Sequence, residues 1–254
     1  MIDSSVYYPR TFSEYLRKHL RLYFVDMRWF AKTSKERNLN SFTVNTLVED
    51  VDSIRKALKF EKAVIMGHSI HGTIAFEYAK RHPANVSNLV VIGSPVIFAN
   101  REYAAATDSL WKAASPERRQ LQEYNWSRLP NFEQHPELQE VVENYVAMTP
   151  KYWYNPSYPA RELWKGMTIH SPLLHYLYDG IFLYYNMFGK KPMVPVLTLV
   201  AVGKFDYIIP FELWDRYKAV PNLTLCLFEK SGHTPQLEEP ERFDRVLIEW
   251  LKKH

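Results

Sequence analysis

The sequence predicts an α/β fold with a mostly parallel sheet, flanked by helices and interrupted by one helical insertion. Three observations lead to this prediction. Short apolar runs alternate with helical patterns, each run is apolar along its whole length, and one long internal stretch has helical patterns without a strand pattern. Strands that are apolar on both faces are typical of a parallel sheet whose two faces are covered by helices.

The expected elements follow one another in a regular order along the chain. The predicted strands lie at residues 22–25, 63–66, 89–92, 195–202 and 223–228. The predicted helices lie at residues 11–19, 43–58, 72–81, 211–219 and 240–252. The helix at 43–58 is amphipathic, with its apolar residues on one face. Pro83 ends the helix at 72–81, and prolines stand at the start of the last two helices, as they often do in proteins.

The stretch at residues 97–189 interrupts this alternation and is rich in aromatic residues. An insertion of this size predicts a helical lid over a core that comprises residues 1–96 and 190–254. Its aromatic side chains either form the lid's own core or line an apolar pocket beneath it. The candidates for the pocket wall are Trp111, Trp126, Tyr152, Trp153, Tyr184 and Tyr185.

Composition argues against several classes of function. The net charge is +4 and the basic residues are scattered, so we expect no nucleic-acid partner. The longest apolar run, at residues 194–202, is too short to span a membrane. The single cysteine, Cys226, fits a reducing compartment, and residues 1–12 lack the pattern of a secretory leader, so we expect a cytoplasmic protein. With no metal-ligand cluster and no phosphate-binding loop in the sequence, we expect neither a metal nor a cofactor.

A serine follows the predicted strand at 63–66 and directly precedes a predicted helix. Gly67-His68-Ser69-Ile70-His71-Gly72 resembles the G-x-S-x-G pattern of a sharp strand-to-helix turn, which exposes a serine hydroxyl above the sheet. The match is incomplete, because His71 stands where the second glycine is expected and Gly72 comes one position later. We expect His71 mainly to fill space at the contact between strand and helix.

An aspartate and a histidine follow the last two predicted strands. A serine hydroxyl is a weak nucleophile until a base removes its proton, and His233 can act as that base. Asp206 would hold the imidazole in the required tautomer and stabilise its charged form. Because the carboxyl ends of parallel strands meet at one edge of a sheet, Ser69, Asp206 and His233 are expected to converge there.

The chain order of serine, aspartate and histidine resembles that of the α/β-hydrolase fold. The segment Gly203-x-x-Asp206-x-x-x-Pro210 is similar to that family's acid loop, and residues 231–240 are similar to its usual ending. The resemblance covers residue 11 to the C-terminus. It implies a serine hydrolase, with the Ile70 N–H as one donor of the oxyanion hole and His68 beside the substrate pocket in a packing role.

The same resemblance implies a departure at the N-terminus. In the family, early strands and a His-Gly-rich loop come before the first helix, and that loop supplies a second oxyanion donor. Here the chain starts near the end of that loop, at about Ser4 and Ser5. The sequence therefore predicts that the N-terminal strands and the second donor are missing.

Three functions remain open from the sequence. Asp26-x-Arg28-Trp29 and the lid resemble the proline iminopeptidase branch, which implies a short-peptide substrate, whereas a carboxylesterase or lactonase would act on a small ester. The third alternative is a non-catalytic binding protein that retains the pocket. An aminopeptidase needs a carboxylate to hold the substrate's ammonium group. The candidates in the lid are Glu133, Glu137, Glu140 and Glu143.

Overall fold

A four-stranded parallel sheet forms the centre of the fold. The computed structural model describes residues 1–31, 38–98, 100–134, 139–189 and 196–254. Its strands are β1 (Ile2–Asp3), β2 (Val25–Asp26), β3 (Ala63–His68), β4 (Val86–Ile92), β5 (Thr198–Gly203) and β6 (Leu223–Phe228). The central sheet has the spatial order β3-β4-β5-β6, with every neighbouring pair parallel. The fold class is the one that the sequence predicts.

The helices outside the insertion pack against the sheet through their apolar faces. They are α1 (Glu14–His19), α2 (Val44–Ala57), α3 (Ile70–Arg81), α10 (Glu212–Asp215), α11 (Pro235–Glu238) and α12 (Pro240–Lys253). Thr43 caps α2, because its hydroxyl oxygen accepts the N–H of Thr46. The buried side of α2 carries Leu47, Val48 and Val51. The predicted helix at 211–219 is wrong in extent, since regular helix ends at Asp215 and turns follow.

Helices also make up most of the inserted region. Within residues 97–189, apart from residues 99 and 135–138, the helices are α4 (Arg101–Lys112), α5 (Pro116–Ser127), α6 (Glu140–Ala147), α7 (Thr149–Tyr152), α8 (Arg161–Trp164) and α9 (Ser171–Leu177). A π-helical turn, Tyr178–Phe182, follows α9. An antiparallel bridge joins Ile97 to Asn186, and the Met187 N–H donates to the Val96 carbonyl at 2.9 Å. The two ends of the inserted region are therefore paired with each other where the region joins the core.

The N-terminal segment differs from the expectation that its strands are missing. Ile2–Asp3 forms a parallel pair with Val25–Asp26, so a short strand does precede α1. This strand does not pair with β3 in the described part of the chain. A cavity of about 370 Å³ lies between the two sheets, lined by apolar side chains that include Ile2, Phe24 and Val64. The strand β1 is thus present, although a gap separates it from the central sheet.

No helix in the described ranges has the length and apolar character needed to cross a bilayer.

The turn after β3 depends on a close approach of backbones, which gives a direct test of the fold. A Cβ atom on Gly67 would lie 2.2 Å from the carbonyl oxygen of His71, so one of the two backbones would have to move. We expect Gly67→Ala to lower the free energy of unfolding by about 3 kcal/mol. Urea denaturation followed by circular dichroism measures this change.

Gly180→Ala is the matched control, because a Cβ there meets nothing within 4 Å and the residue lies in a helical turn. That substitution should leave stability unchanged or raise it by up to about 1 kcal/mol. Equal losses for both variants would contradict the close contact at Gly67.

Candidate active site

Ser69 occupies the turn between β3 and α3 in a strained backbone conformation. Its φ is 55° and its ψ is −132°, a region that residues other than glycine rarely occupy. The Ser69 N–H donates to the carbonyl of Ile92 at 2.9 Å, which fixes the turn to the end of β4. Strain of this kind, held by the surrounding structure, is typical of a nucleophile at a strand-to-helix turn.

His71 explains the incomplete motif. A Cβ on Gly72 would overlap the side chain of Ser94, so this glycine, one position late, provides the close contact with the strand layer. The side chain of His71 instead points away from that contact: it stacks on Trp29 with ring centroids 5.3 Å apart and lines the cavity beside Ser69. The turn therefore accommodates a large residue at position 71, and that residue contributes to the cavity wall as well as filling space.

Asp206 and His233 form a buried hydrogen-bonded pair. Asp206 follows β5 and His233 follows β6, so two adjacent parallel strands bring them to the same edge of the sheet. His233 Nδ1 lies 2.6 Å from Asp206 Oδ2. The other carboxylate oxygen accepts the N–H groups of Ile208 and Ile209 at 3.0 and 2.8 Å. An Nδ1–H that donates to the carboxylate leaves the lone pair on Nε2 to accept a proton.

The backbone of His233 is held on both sides. Its N–H donates to the carbonyl of Tyr152 at 2.6 Å, and its own carbonyl lies 2.8 Å from His68 Nε2. Because a carbonyl can only accept, His68 must carry its proton on Nε2. His68 Nδ1 then accepts the hydroxyl proton of Tyr8 at 2.5 Å. Burial and the nearby His233 both hold the pKa of His68 well below its usual value, so His68 is neutral and acts as a bridge.

A cavity of about 260 Å³ opens above the turn, and both Ser69 and His233 line it. The core contributes Ser4, Ile70 and His71 to its wall, and the inserted region contributes side chains from α6 to the π-helical turn. Five tyrosines line it: Tyr7, Tyr8, Tyr145, Tyr152 and Tyr178. Burial raises the pKa of Tyr145 and Tyr152, so both phenols stay neutral. Within the described part of the chain, the lining contains no Asp, Glu, Lys or Arg.

The N-terminal segment reaches this cavity at Ser4, about where the family's loop is expected to end. Ser4 is buried and directly follows β1, and its hydroxyl oxygen accepts the N–H groups of Val6 and Tyr7, both at 3.2 Å. Ile70 lies across the cavity as the first residue of α3. The first N–H groups of a helix have no partner within the helix, so that of Ile70 is available to a bound oxygen atom.

Most of the aromatic residues proposed for the pocket wall lie elsewhere. Trp111 packs against Tyr207, and Trp153 is fully buried against Tyr158 with ring centroids 4.2 Å apart. Trp126 and Tyr184 are 53% and 72% exposed. These four, together with Tyr185, are outside the cavity lining, whereas Tyr152 and His68 belong to it. Of the residues predicted to bind substrate, this cavity is therefore lined by His68 but not by the four residues of the inserted region, Trp111, Trp126, Trp153 and Tyr184.

Sequence reasoning missed the contribution of Tyr7, Tyr8, Tyr145 and Trp164 to the cavity. Tyr7 and Tyr145 join the core to the lid, since their hydroxyl oxygens lie 3.1 Å apart. Trp164 packs edge-on against both rings. Tyr7 and Tyr8 directly follow the expected end of the family's oxyanion loop. Their position in the chain could therefore have identified them as pocket residues.

Tyr8→Phe tests the bridge through His68. The substitution removes the hydroxyl that donates to His68 Nδ1 and leaves a buried acceptor without that donor, so stability should fall by about 1 to 3 kcal/mol. Denaturant unfolding measures the loss, with Tyr15→Phe as the control because Tyr15 is 56% exposed. A Tyr8→Phe protein as stable as the Tyr15→Phe control would refute the bridge.

Comparison with known proteins agrees with this architecture. A family model described as alpha/beta hydrolase fold matches residues 2–240. The AB hydrolase superfamily protein YclE of Bacillus subtilis is 30% identical over 254 residues, covering 99% of this chain and 90% of that protein. A proline iminopeptidase of Thermoplasma volcanium is 23% identical over 240 residues, covering 87% of this chain and 76% of that protein.

A solved structure shares the fold along nearly the whole chain. The thermophilic esterase of Thermogutta terrifontis, solved with malate bound, superposes with a TM-score of 0.63 at 22% identity, covering 99% of this chain and 88% of that one. The resemblance predicted from Ser69, Asp206 and His233 is confirmed at the level of the family. Since the family model spans residues 2–240, this chain belongs to the alpha/beta hydrolase fold family and is a hydrolase.

Proposed function

We propose that this protein is a serine esterase that hydrolyses small, uncharged carboxylic esters. Ser69 is the nucleophile, His233 the general base and acid, and Asp206 the residue that orients the imidazole. The observation that carries the proposal is the cavity itself: it joins a strained serine to a histidine held by a buried carboxylate, and its described lining offers no charged partner for a substrate.

The proposed reaction follows from these positions. Ser69 Oγ attacks the ester carbonyl while His233 Nε2 takes the hydroxyl proton, and the charge on the resulting oxyanion is stabilised by the Ile70 N–H. Collapse of the intermediate breaks the bond to the alcohol, which leaves with the proton from His233. Water, activated by the same imidazole, then releases the acid and restores Ser69. The N–H groups of Ser5, Val6 and Tyr7, near Ser4, already donate to Asp26 Oδ1 and to Ser4 Oγ, so Ile70 is the one oxyanion donor assigned here.

The acids of the lid favour an ester over an aminoacyl substrate. Glu133 and Glu140 are exposed, and Glu143 pairs with Arg161, with Oε2 and Nη2 2.7 Å apart. Glu137 lies outside the described residues. A free ammonium in this cavity would therefore lack a carboxylate partner among the described side chains, and an unpaired buried charge costs several kcal/mol.

A proline iminopeptidase-like aminopeptidase is the second candidate, and the similarity to the Thermoplasma volcanium enzyme is what favours it. A non-catalytic binding protein stays the third alternative, because Ser4 lines the cavity but no second oxyanion donor is identified among the described residues.

A substrate pair separates the two enzymatic functions. With p-nitrophenyl butyrate and prolyl-p-nitroanilide, we expect the ester to give the higher kcat/KM by at least about a hundredfold. This factor follows from a cost of about 3 kcal/mol for an uncompensated buried ammonium. Each tenfold change in rate corresponds to about 1.4 kcal/mol. The non-enzymatic rate of each substrate is subtracted. A higher kcat/KM for the prolyl amide would make the aminopeptidase the better assignment.

Ser69→Ala should lower kcat for the ester by about 10⁴- to 10⁶-fold and leave the folded structure intact. Ser87→Ala, at an exposed position of β4, is the control and should retain full activity. Initial rates with p-nitrophenyl butyrate and the far-UV spectrum of each variant measure both effects. Substantial turnover by Ser69→Ala would exclude Ser69 as the nucleophile.

A further inference from the structure

Glu238 contacts both neighbours of His233 and a segment of the lid. Its Oε1 accepts the N–H of Gly232 at 3.0 Å and that of Thr234 at 3.1 Å, which are the residues on either side of His233. Its Oε2 accepts the N–H of Tyr154 at 2.6 Å. Glu238 lies on α11 and is outside the cavity lining in the described chain, so it does not reach the position of a substrate.

The lid segment 150–154 is held from its other side by Arg118 of α5. The buried guanidinium donates from Nη1 to the carbonyls of Pro150 and Trp153 at 2.7 and 2.8 Å, and from Nη2 to that of Tyr154 at 2.5 Å. A planar guanidinium suits this task, because its donors are fixed relative to one another. The guanidinium of Arg118 and the carboxylate of Glu238 therefore both form hydrogen bonds with the backbone of segment 150–154.

Segment 150–154 in turn contacts both members of the Asp206–His233 pair. The His233 N–H donates to the Tyr152 carbonyl at 2.6 Å, and the N–H of Tyr207, next to Asp206, donates to the Lys151 carbonyl at 3.1 Å. The Arg118 guanidinium also lies over the Tyr207 ring, 5.2 Å from its centroid. A shift of this segment would thus move both loops that set the imidazole geometry.

We propose that Glu238 and Arg118 are positioning residues that couple lid segment 150–154 to His233. The proposal rests on the esterase function for its kinetic consequence only. A carboxylate that accepts three backbone N–H groups holds the loop at 232–234 and the lid in one arrangement. The arrangement keeps His233 Nε2 aimed at the serine while the lid closes the cavity. A misplacement of about 1 Å in such a group can lower the rate by about a hundredfold.

The protonation state of Glu238 controls this coupling. Burial raises the pKa of Glu238 to about 7 against the opposing effect of its three N–H donors, and the charge of Asp206 adds a smaller increase. The other groups that face it are Arg118, Tyr145 and Tyr158. Protonation on Oε2 would place a hydrogen where the Tyr154 N–H needs an acceptor. The coupling is therefore complete above about pH 7 and weakens below it.

Stability has the opposite dependence on pH. The folded-state pKa of Glu238 lies above the usual value of 4.5, so the folded state binds this proton more tightly than the unfolded state does. Its contribution to stability is fully present below about pH 4.5 and is lost as the pH rises through about 7. A merely structural carboxyl would give this stability profile without any effect on His233.

Glu238→Gln separates the two contacts of the carboxylate. The amide oxygen can still accept from Gly232 and Thr234, whereas the amide NH₂ cannot accept from Tyr154. We expect kcat for p-nitrophenyl butyrate to fall by about 10- to 100-fold, with KM within about twofold. We also expect one ionisation near pH 7 to disappear from the pH profile of kcat. Glu241→Gln, at an exposed position of α12, is the control and should match the unchanged protein.

A second readout does not need turnover. In protein labelled with ¹³Cε1-histidine, the His233 signal, assigned by its loss in His233→Asn, should shift as Glu238 titrates near pH 7 and should lose that shift in Glu238→Gln. Arg118→Met should weaken the same response and, combined with Glu238→Gln, should lower kcat by less than the product of the single effects.

The two readouts keep a failure of this proposal distinct from a failure of the esterase assignment. If the unchanged protein hydrolyses no ester but the His233 signal follows Glu238, the coupling stands and the substrate assignment fails. If Glu238→Gln loses stability yet retains kcat, the pH profile and the His233 response, Glu238 is structural only and the proposal is overturned.

Discussion

The buried hydrogen bond between His233 and Asp206 is the interaction on which the site depends. It forms because β5 and β6 are adjacent and parallel, so the loops that follow them leave the sheet side by side. Their approach is very close: a Cβ on Gly203 would lie 1.9 Å from the Gly232 carbonyl oxygen. Only a glycine at the end of β5 lets the acid loop and the histidine loop meet at this distance.

The surroundings of this pair place one carboxylate beside the imidazole and no other acidic side chain in the described cavity lining. Asp206 is the charge closest to the imidazole, and two backbone N–H groups already satisfy its second oxygen. His68 is kept neutral by burial and fixes the His233 carbonyl, while burial keeps the pKa of Tyr145 and Tyr152 in the wall well above its usual value. In the proposed reaction, an imidazolium at His233 would thus have its compensating charge at Asp206.

The lid and the core are joined at the same place. Tyr7 of the core meets Tyr145 of the lid, and Tyr152 reaches the backbone of His233. The position of the inserted region and the position of His233 are therefore linked through these contacts. In this arrangement the inserted region contacts the backbone of His233 and also lines the cavity.

The sequence predicts the central strands and the residues at their carboxyl ends better than it predicts which residues line the cavity. Apolar periodicity locates the central strands, and parallel pairing then brings the residues that follow them, Ser69, Asp206 and His233, toward one edge. The strand Ile2–Asp3 is too short to leave a pattern, so it was missed. Trp126 and Tyr184 illustrate the other limit: composition marks the lid as aromatic, but helix packing within the insertion decides which rings face Ser69, and these two face solvent.

Covalent labelling can show whether Ser69 is a nucleophile activated by His233. The protein would be treated with a fluorophosphonate at pH 8, with the unchanged chain, Ser69→Ala and His233→Ala compared by intact mass and by peptide mass spectrometry. We expect a single adduct on the peptide that contains Ser69, absent from Ser69→Ala and formed far more slowly in His233→Ala. An adduct on another residue, or an unchanged labelling rate without His233, would contradict it.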